Sequence, residues 1–110
     1  DAIERDQYDF IVTNFANPDM VGHTARREAV IRAIETLDNE SHRVFRVALE
    51  HGWRILLTAD HGNDPTWRGT DHTRERAPVL VAGQGAGELG LLGFVDVAAL
   101  IAEHLGVAVP

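Results

Sequence analysis

Residues 55–59, Ile-Leu-Leu-Thr-Ala, are apolar or β-branched without a polar break, and they run directly into Asp60-His61-Gly62-Asn63. A half-buried strand alternates apolar with polar residues, because successive side chains point to opposite faces. An unbroken run of this length instead reads as a strand covered on both faces, the habit of a sheet in an α/β layer. This reading extends the strand over Trp53–Ala59. A second run of the same kind, Ala77–Gly83 (APVLVAG), supplies another strand, and Tyr8–Phe15 (YDFIVTNF) a third.

Between Tyr8–Phe15 and Trp53–Ala59, Thr24 to about His51 has helical periodicity. Val30, Ile34, Leu37, Val44 and Ala48 fall on one side, Arg and Glu on the other, and Gly52 follows as a stop. Ser41, the chain's one serine, breaks that stripe. The segment Ala16–Thr24 (ANPDMVGHT) holds Asn17-Pro18 and Gly22 and reads as a loop. A polar loop spans Asp60 to about Arg76. Gly83–Gly93 contains five of the ten glycines and reads as a flexible connection, and a last helix covers Val95–Leu105, closed by Gly106. Strand, helix, strand, strand, helix predicts an α/β layer with at least one parallel crossover. Three strands make a thin sheet, so its buried strands are expected to need neighbours from outside this chain.

Composition narrows the function. The net charge of −7 argues against nucleic acid as the main partner. No apolar run approaches the roughly 20 residues that span a bilayer, so no membrane role is expected. The absence of Cys excludes disulfides and thiolate metal sites and fits a cytoplasmic protein. All ten basic residues are Arg. The first residues, DAIERDQ, are charged rather than signal-like and lack an initiator Met, which raises the expectation of a longer parent chain.

The chemistry-bearing residues lie after the predicted strands. Asp19 and His23 are four apart; Asp60 and His61 are adjacent, with His72 eleven residues beyond. Carboxylates and neutral imidazoles bind divalent ions without thiolates. Five such groups exceed the needs of one tetrahedral ion and suit a two-metal site for phosphoryl transfer. Sites of open α/β sheets form beyond the carboxyl ends of strands, where both clusters fall. Each pair alone has a plainer explanation: Asp-His-Gly also makes a turn or cap. His42, His51 and His104 fit helix surfaces and ends. Arg68, Arg74 and Arg76 near His72 are candidates for bidentate contact with phosphate, Arg74 above all. Trp67 in the same loop reads equally as a lid or a packing anchor. The glycine run lacks a following Lys-Ser/Thr and is no P-loop.

These stretches resemble known enzymes. NFANPDMVGHT (14–24) is similar to the metal-binding motif of cofactor-independent phosphoglycerate mutases. LTADHGNDPTWRGTDHTRERAPVLV (57–81), above all GTDHTRE, is similar to the corresponding part of phosphopentomutases, and FVDVAALIAEHLGV is similar to the end of both. Both belong to the alkaline-phosphatase superfamily of two-metal enzymes. The resemblance implies part of an alkaline-phosphatase-like three-layer sandwich with a mostly parallel sheet. It implies Asp19, His23 and His72 on one ion and Asp60 and His61 on the other, typically Mn2+, with Zn2+ or Mg2+ as alternatives. It also implies transfer of phosphate through an enzyme Ser or Thr.

The nucleophile, a further Asp ligand and a cap domain precede this region in those families, and nothing in residues 1–110 matches them. Ser41 lies mid-helix. The chain therefore reads as the carboxy-terminal part of the metalloenzyme domain, inactive alone. Its expected partners are a phosphorylated small molecule and either the missing amino-terminal half or a second copy. The match around His72 leans towards phosphopentomutase, with phosphoglycerate mutase as the alternative. A phosphatase or phosphodiesterase of the same superfamily, or a noncatalytic metal-binding fragment, stays open.

Overall fold

The computed structural model describes residues 1–109. In chain order it has helix α1 (Asn17–Gly22), helix α2 (Arg27–Glu50), strands β1 (Ile55–Thr58) and β2 (Val79–Ala82), and helix α3 (Phe94–Leu105). It is a small α/β arrangement in which α1 packs on α2 and α2 on β1. Among the described residues no helix is long and apolar enough to cross a membrane.

The segment read as a loop, 16–24, contains α1. Its Pro18 sits in the first turn, where a missing N–H costs nothing, and Asp19 lies beside the positive end of the helix. The backbone N–H of His23 closes the turn on the Asp19 carbonyl at 3.1 Å. Ala25, at φ 53°, then reverses the chain into α2.

Helix α2 ends as its sequence predicts. Gly52 takes φ 77°. Its N–H bonds the Leu49 carbonyl, and that of Trp53 bonds the Ala48 carbonyl, the paired bonds of a Schellman motif. Gly106, at φ 67°, closes α3 with the same pair of bonds, to Glu103 and from Val107 to Ala102. At the other end of α3, Asp96 accepts the Gly93 N–H at 2.7 Å. Ser41 does not break the packed stripe of α2. It and Ala48, two turns apart, are the two buried residues of the helix, while Ile34 is 49% exposed.

The sheet differs from the expectation. β1 and β2 pair antiparallel, with Ile55 opposite Ala82 and Thr58 opposite Val79. Gly83 follows at φ 91°, where a side chain would meet the Trp53 carbonyl at 2.8 Å. Residues 8–15 form no strand, and Tyr8, Val12 and Phe15 are 55%, 75% and 43% exposed. The crossover that would make the sheet parallel is therefore not formed among the described residues. A segment becomes a strand when a neighbour accepts its backbone hydrogen bonds, and here neither strand of the pair receives it.

The core is correspondingly slight. Ala48 is the one buried hydrophobic residue among the described residues. The accessible surface is 8930 Å², against about 6,000 Å² for a compact monomer of this mass. The radius of gyration is 15.8 Å, against about 13 Å for a compact chain of this length.

Candidate metal centre

Asp19 and His23, one turn apart, share a face of α1, with His23 Nε2 3.3 Å from Asp19 Oδ1. His61 arrives three residues past the end of β1, its Nε2 3.4 Å from the same oxygen. His72 arrives from the far end of the 60–76 loop, at 3.0 Å. Its Nε2 also lies 3.1 Å from His23 Nε2. The His61 and His72 rings stack, with centroids 3.5 Å apart and planes 17° apart.

The loop is held for this meeting. Gly62 and Thr73 form an isolated antiparallel bridge, which puts His61 and His72 on one face as diagonal neighbours, within reach of each other's rings. A Cβ on Gly62 would stand 2.3 Å from the Glu75 carbonyl oxygen, so a glycine is required there. Thr73 Oγ1 accepts the Asp64 N–H at 2.6 Å and donates to the Glu75 carboxylate. Asp64 Oδ1 in turn accepts both the hydroxyl and the N–H of Thr66. Those two bonds, the hydroxyl foremost, hold the Asp64 carboxyl below its ordinary range.

The protons on these rings decide what the cluster can hold. His23 Nδ1 faces the Thr70 carbonyl and His61 Nδ1 the Gly62 carbonyl. A carbonyl only accepts, so each Nδ1 is the donor, and in the neutral ring each Nε2 then presents its lone pair. Asp19 Oδ1 is the one buried side-chain atom without a hydrogen-bond donor among the described residues. A carboxylate oxygen and two bare nitrogens therefore converge, and the third ring brings at most one proton. Such a cluster calls for a cation, and a backbone carbonyl on the remote ring nitrogen is the usual orientation device of metal-bound histidine. Metal–ligand bonds of about 2.1 Å place adjacent donors about 3.0 Å apart in octahedral and about 3.4 Å apart in tetrahedral geometry. The separations from Asp19 Oδ1 span that interval. Asp19, His61 and His72 are the one grouping of three or more donors among the described residues, with His23 against two of them.

Asp60 stands apart. Its side chain is 94% exposed, with Oδ1 3.8 Å from His61 Nε2. Arg74 lines a separate cleft of about 470 Å³ with Thr58, Arg76, Phe94 and Val97. Trp67 is 61% exposed. His42 lies exposed on α2. His51 bonds the Val47 carbonyl at the end of α2, and His104 accepts from Arg54 at 2.6 Å. The supporting residues Gly62, Thr70 and Thr73 were not singled out from sequence. The signal for Gly62 was present, a glycine directly after a ligand; Thr70 acts through its carbonyl, which no side-chain pattern reveals.

A metal-binding α/β chain of this kind matches a known family. The family model described as the Metalloenzyme superfamily covers residues 1–109, and the chain belongs to that superfamily. Among its relatives are phosphomutases of two kinds. It is 41% identical to the 2,3-bisphosphoglycerate-independent phosphoglycerate mutase of Thiobacillus denitrificans, over 99% of this chain and 23% of that protein. It is 44% identical to the phosphopentomutase of Rhizobium johnstonii, over 90% of this chain and 25% of that one. With the phosphoglycerate mutase of Chloroflexus aurantiacus it shares 50% identity over 79% of this chain and 18% of that protein. The chain thus spans about a quarter or less of the relatives it matches. No solved structure matches.

Proposed function

We propose that this chain is the metal-holding, carboxy-terminal part of a phosphomutase, moving phosphate between two oxygens of one small phosphorylated metabolite. The observation that carries the reading is Asp19 Oδ1, buried without a donor and surrounded by three imidazole nitrogens. Superfamily membership and the relatives' activities support it.

In this reading Asp19, His23 and His72 hold one divalent ion. Asp60 and His61 hold a second, together with ligands from the rest of the protein. The ions, Mn2+ foremost, would offset the charge of the phosphate and of the attacking and leaving oxygens. Thr70 and Gly62, through their carbonyls, keep the His23 and His61 lone pairs directed at the site. Arg74, two residues beyond His72, is assigned to the phosphate. The phosphate-accepting Ser or Thr belongs to the remainder of the protein, and the 110-residue chain is inactive alone. That remainder also completes the fold: Tyr8–Phe15 joins a mostly parallel sheet, covered on both faces in a three-layer sandwich. The excess surface and the exposed Tyr8, Val12 and Phe15 support this.

A pentose phosphate is the favoured substrate, because GTDHTRE (69–75) carries the loop that delivers His72. The Asn17–Gly22 helix bearing Asp19 favours the second reading, a phosphoglycerate. Assays of the full-length protein with ribose 1-phosphate and with 2- and 3-phosphoglycerate separate the two. Turnover of the pentose phosphate, abolished by Asp19→Ala, is expected. Metal-independent activity, or activity on neither class, contradicts the proposal.

A further inference from the structure

A second concavity lies between the end of β1, the stretch leading into β2 and the start of α3. It is a cleft of about 470 Å³, within the range of about 300–1,000 Å³ typical of small-molecule pockets. None of Asp19, His23, His61 and His72 lines it. Its walls are of two kinds. Leu91, Phe94 and Val97 form an apolar side, on which Leu91 and Phe94 stand 76% and 64% exposed. Arg74 and Arg76 form a cationic one. Neither guanidinium has an ion-pair or hydrogen-bond partner among the described residues; the arginine side chains that have one are Arg43, Arg46 and Arg54.

The other polar side chains of the cleft are already engaged. The Thr58 hydroxyl donates to the Pro78 carbonyl at 3.0 Å. The Glu75 carboxylate, the one acid in the lining, accepts the Thr73 hydroxyl. At the start of α3 the Gly93 N–H is taken by Asp96 Oδ2, so that helix end is already served by an acid. The free side-chain donors are therefore the two guanidiniums. A guanidinium is always charged and meets an oxyanion through a planar fork. Two of them against one carboxylate leave a single positive charge, on a chain whose net charge is −7.

We propose that this cleft binds a small organic monoanion with an apolar body, an aryl or alkyl carboxylate being the natural class. The head sits between Arg74 and Arg76, and the body covers Leu91, Phe94 and Val97. One net positive charge matches one acidic group, and the exposed Leu91 and Phe94 leave water when the body docks. A neutral molecule of the same shape lacks the fork contacts, and a bare inorganic anion leaves the apolar wall wet. Occupancy of the cleft needs neither metal nor turnover, so it stands apart from the phosphomutase reading and either can fail alone. Arg74 is the one residue that both use, so the variants are made elsewhere.

The full-length protein is titrated by calorimetry with naphthalene-1-sulfonate, whose sulfonate stands in for the carboxylate. One equivalent should bind. Sulfate, the head alone, and 1-naphthol, the body alone, should each bind at least about 10-fold more weakly. 1-Naphthylmethylamine, of similar shape and opposite charge, should not bind. Arg76→Gln should weaken the sulfonate about 10-fold and Phe94→Ala about 5-fold, with helical circular dichroism and metal content unchanged. Both side chains are exposed, and the comparison of probes on the wild type stands even if a variant misfolds. Absence of binding shows the cleft covered in the whole protein and overturns the proposal. Equal affinity for sulfate and sulfonate, equal affinity for the amine, or a sulfonate affinity that both variants leave intact overturns it as well.

Discussion

Around Asp19, residues separated by up to 53 positions meet within 3.4 Å, each ring oriented by a backbone carbonyl or a stacked neighbour. The apolar part of the same molecule is organised far less. Tyr8, Val12, Leu80, Leu91 and Val95 are more than half exposed, and both strands have a free edge. Polar side chains at the metal end are positioned by short-range devices: one helical turn, one bridge, one glycine. Burial of the apolar residues needs whole covering layers, and a two-stranded sheet with its helices leaves many of them exposed. A site can thus be assembled by local structure while the core that would normally support it is left incomplete.

Removing the common ligand should break the ordered end most completely. Asp19→Ala is expected to weaken divalent-ion binding by more than about 100-fold, read by equilibrium dialysis, because every imidazole in the cluster is set around that oxygen. Retained affinity would show that the imidazoles hold the ion without it. Gly62→Ala is the next test. The new methyl would meet the Glu75 carbonyl at 2.3 Å, so the bridge must open and separate His61 from His72. About a 10-fold loss of metal affinity is expected, with the helical circular dichroism of α2 unchanged.

The apolar end is tested by association. Free edges and exposed aromatics should make the isolated chain self-associate with rising concentration. In sedimentation velocity, Phe10→Asp with Val12→Asp should shift it towards monomer. A monodisperse, cooperatively unfolding wild-type monomer would remove the contrast between the two ends. Gly52→Ala should cost about 1–2 kcal/mol, since an alanine is forced to a positive φ. That corresponds to a Tm lower by about 4–8 °C per kcal/mol, with metal stoichiometry intact. The smallest effect is expected from Arg74→Ala, which should raise KM of the full-length protein and leave metal content unchanged.

The same contrast separates what was legible in the sequence from what was not. Helix α2 and helix α3 announced themselves through apolar spacing and the stops Gly52 and Gly106, which the structure places in left-handed caps. Asp19, His23, His61 and His72 were visible as unusual polar groups after apolar runs. Helix α1 was missed because Pro18 and Gly22 read as loop signals; within six residues the same two types mark a helix start and stop. The antiparallel pairing was not legible, since side-chain pattern specifies faces and not partners. Ser41 reads as a break by hydrophobicity, yet its small side chain is buried in α2. The division between Asp60 and His61 depended on backbone direction at the exit of β1, which neighbouring letters do not encode.

The most direct test of the central claim is anomalous diffraction from crystals of the chain grown with Zn2+. The account predicts a peak about 2.0–2.2 Å from Asp19 Oδ1 and from the Nε2 atoms of His23 and His72. A peak on Asp60 with Asp19 left bare, or no peak among these residues, would contradict it.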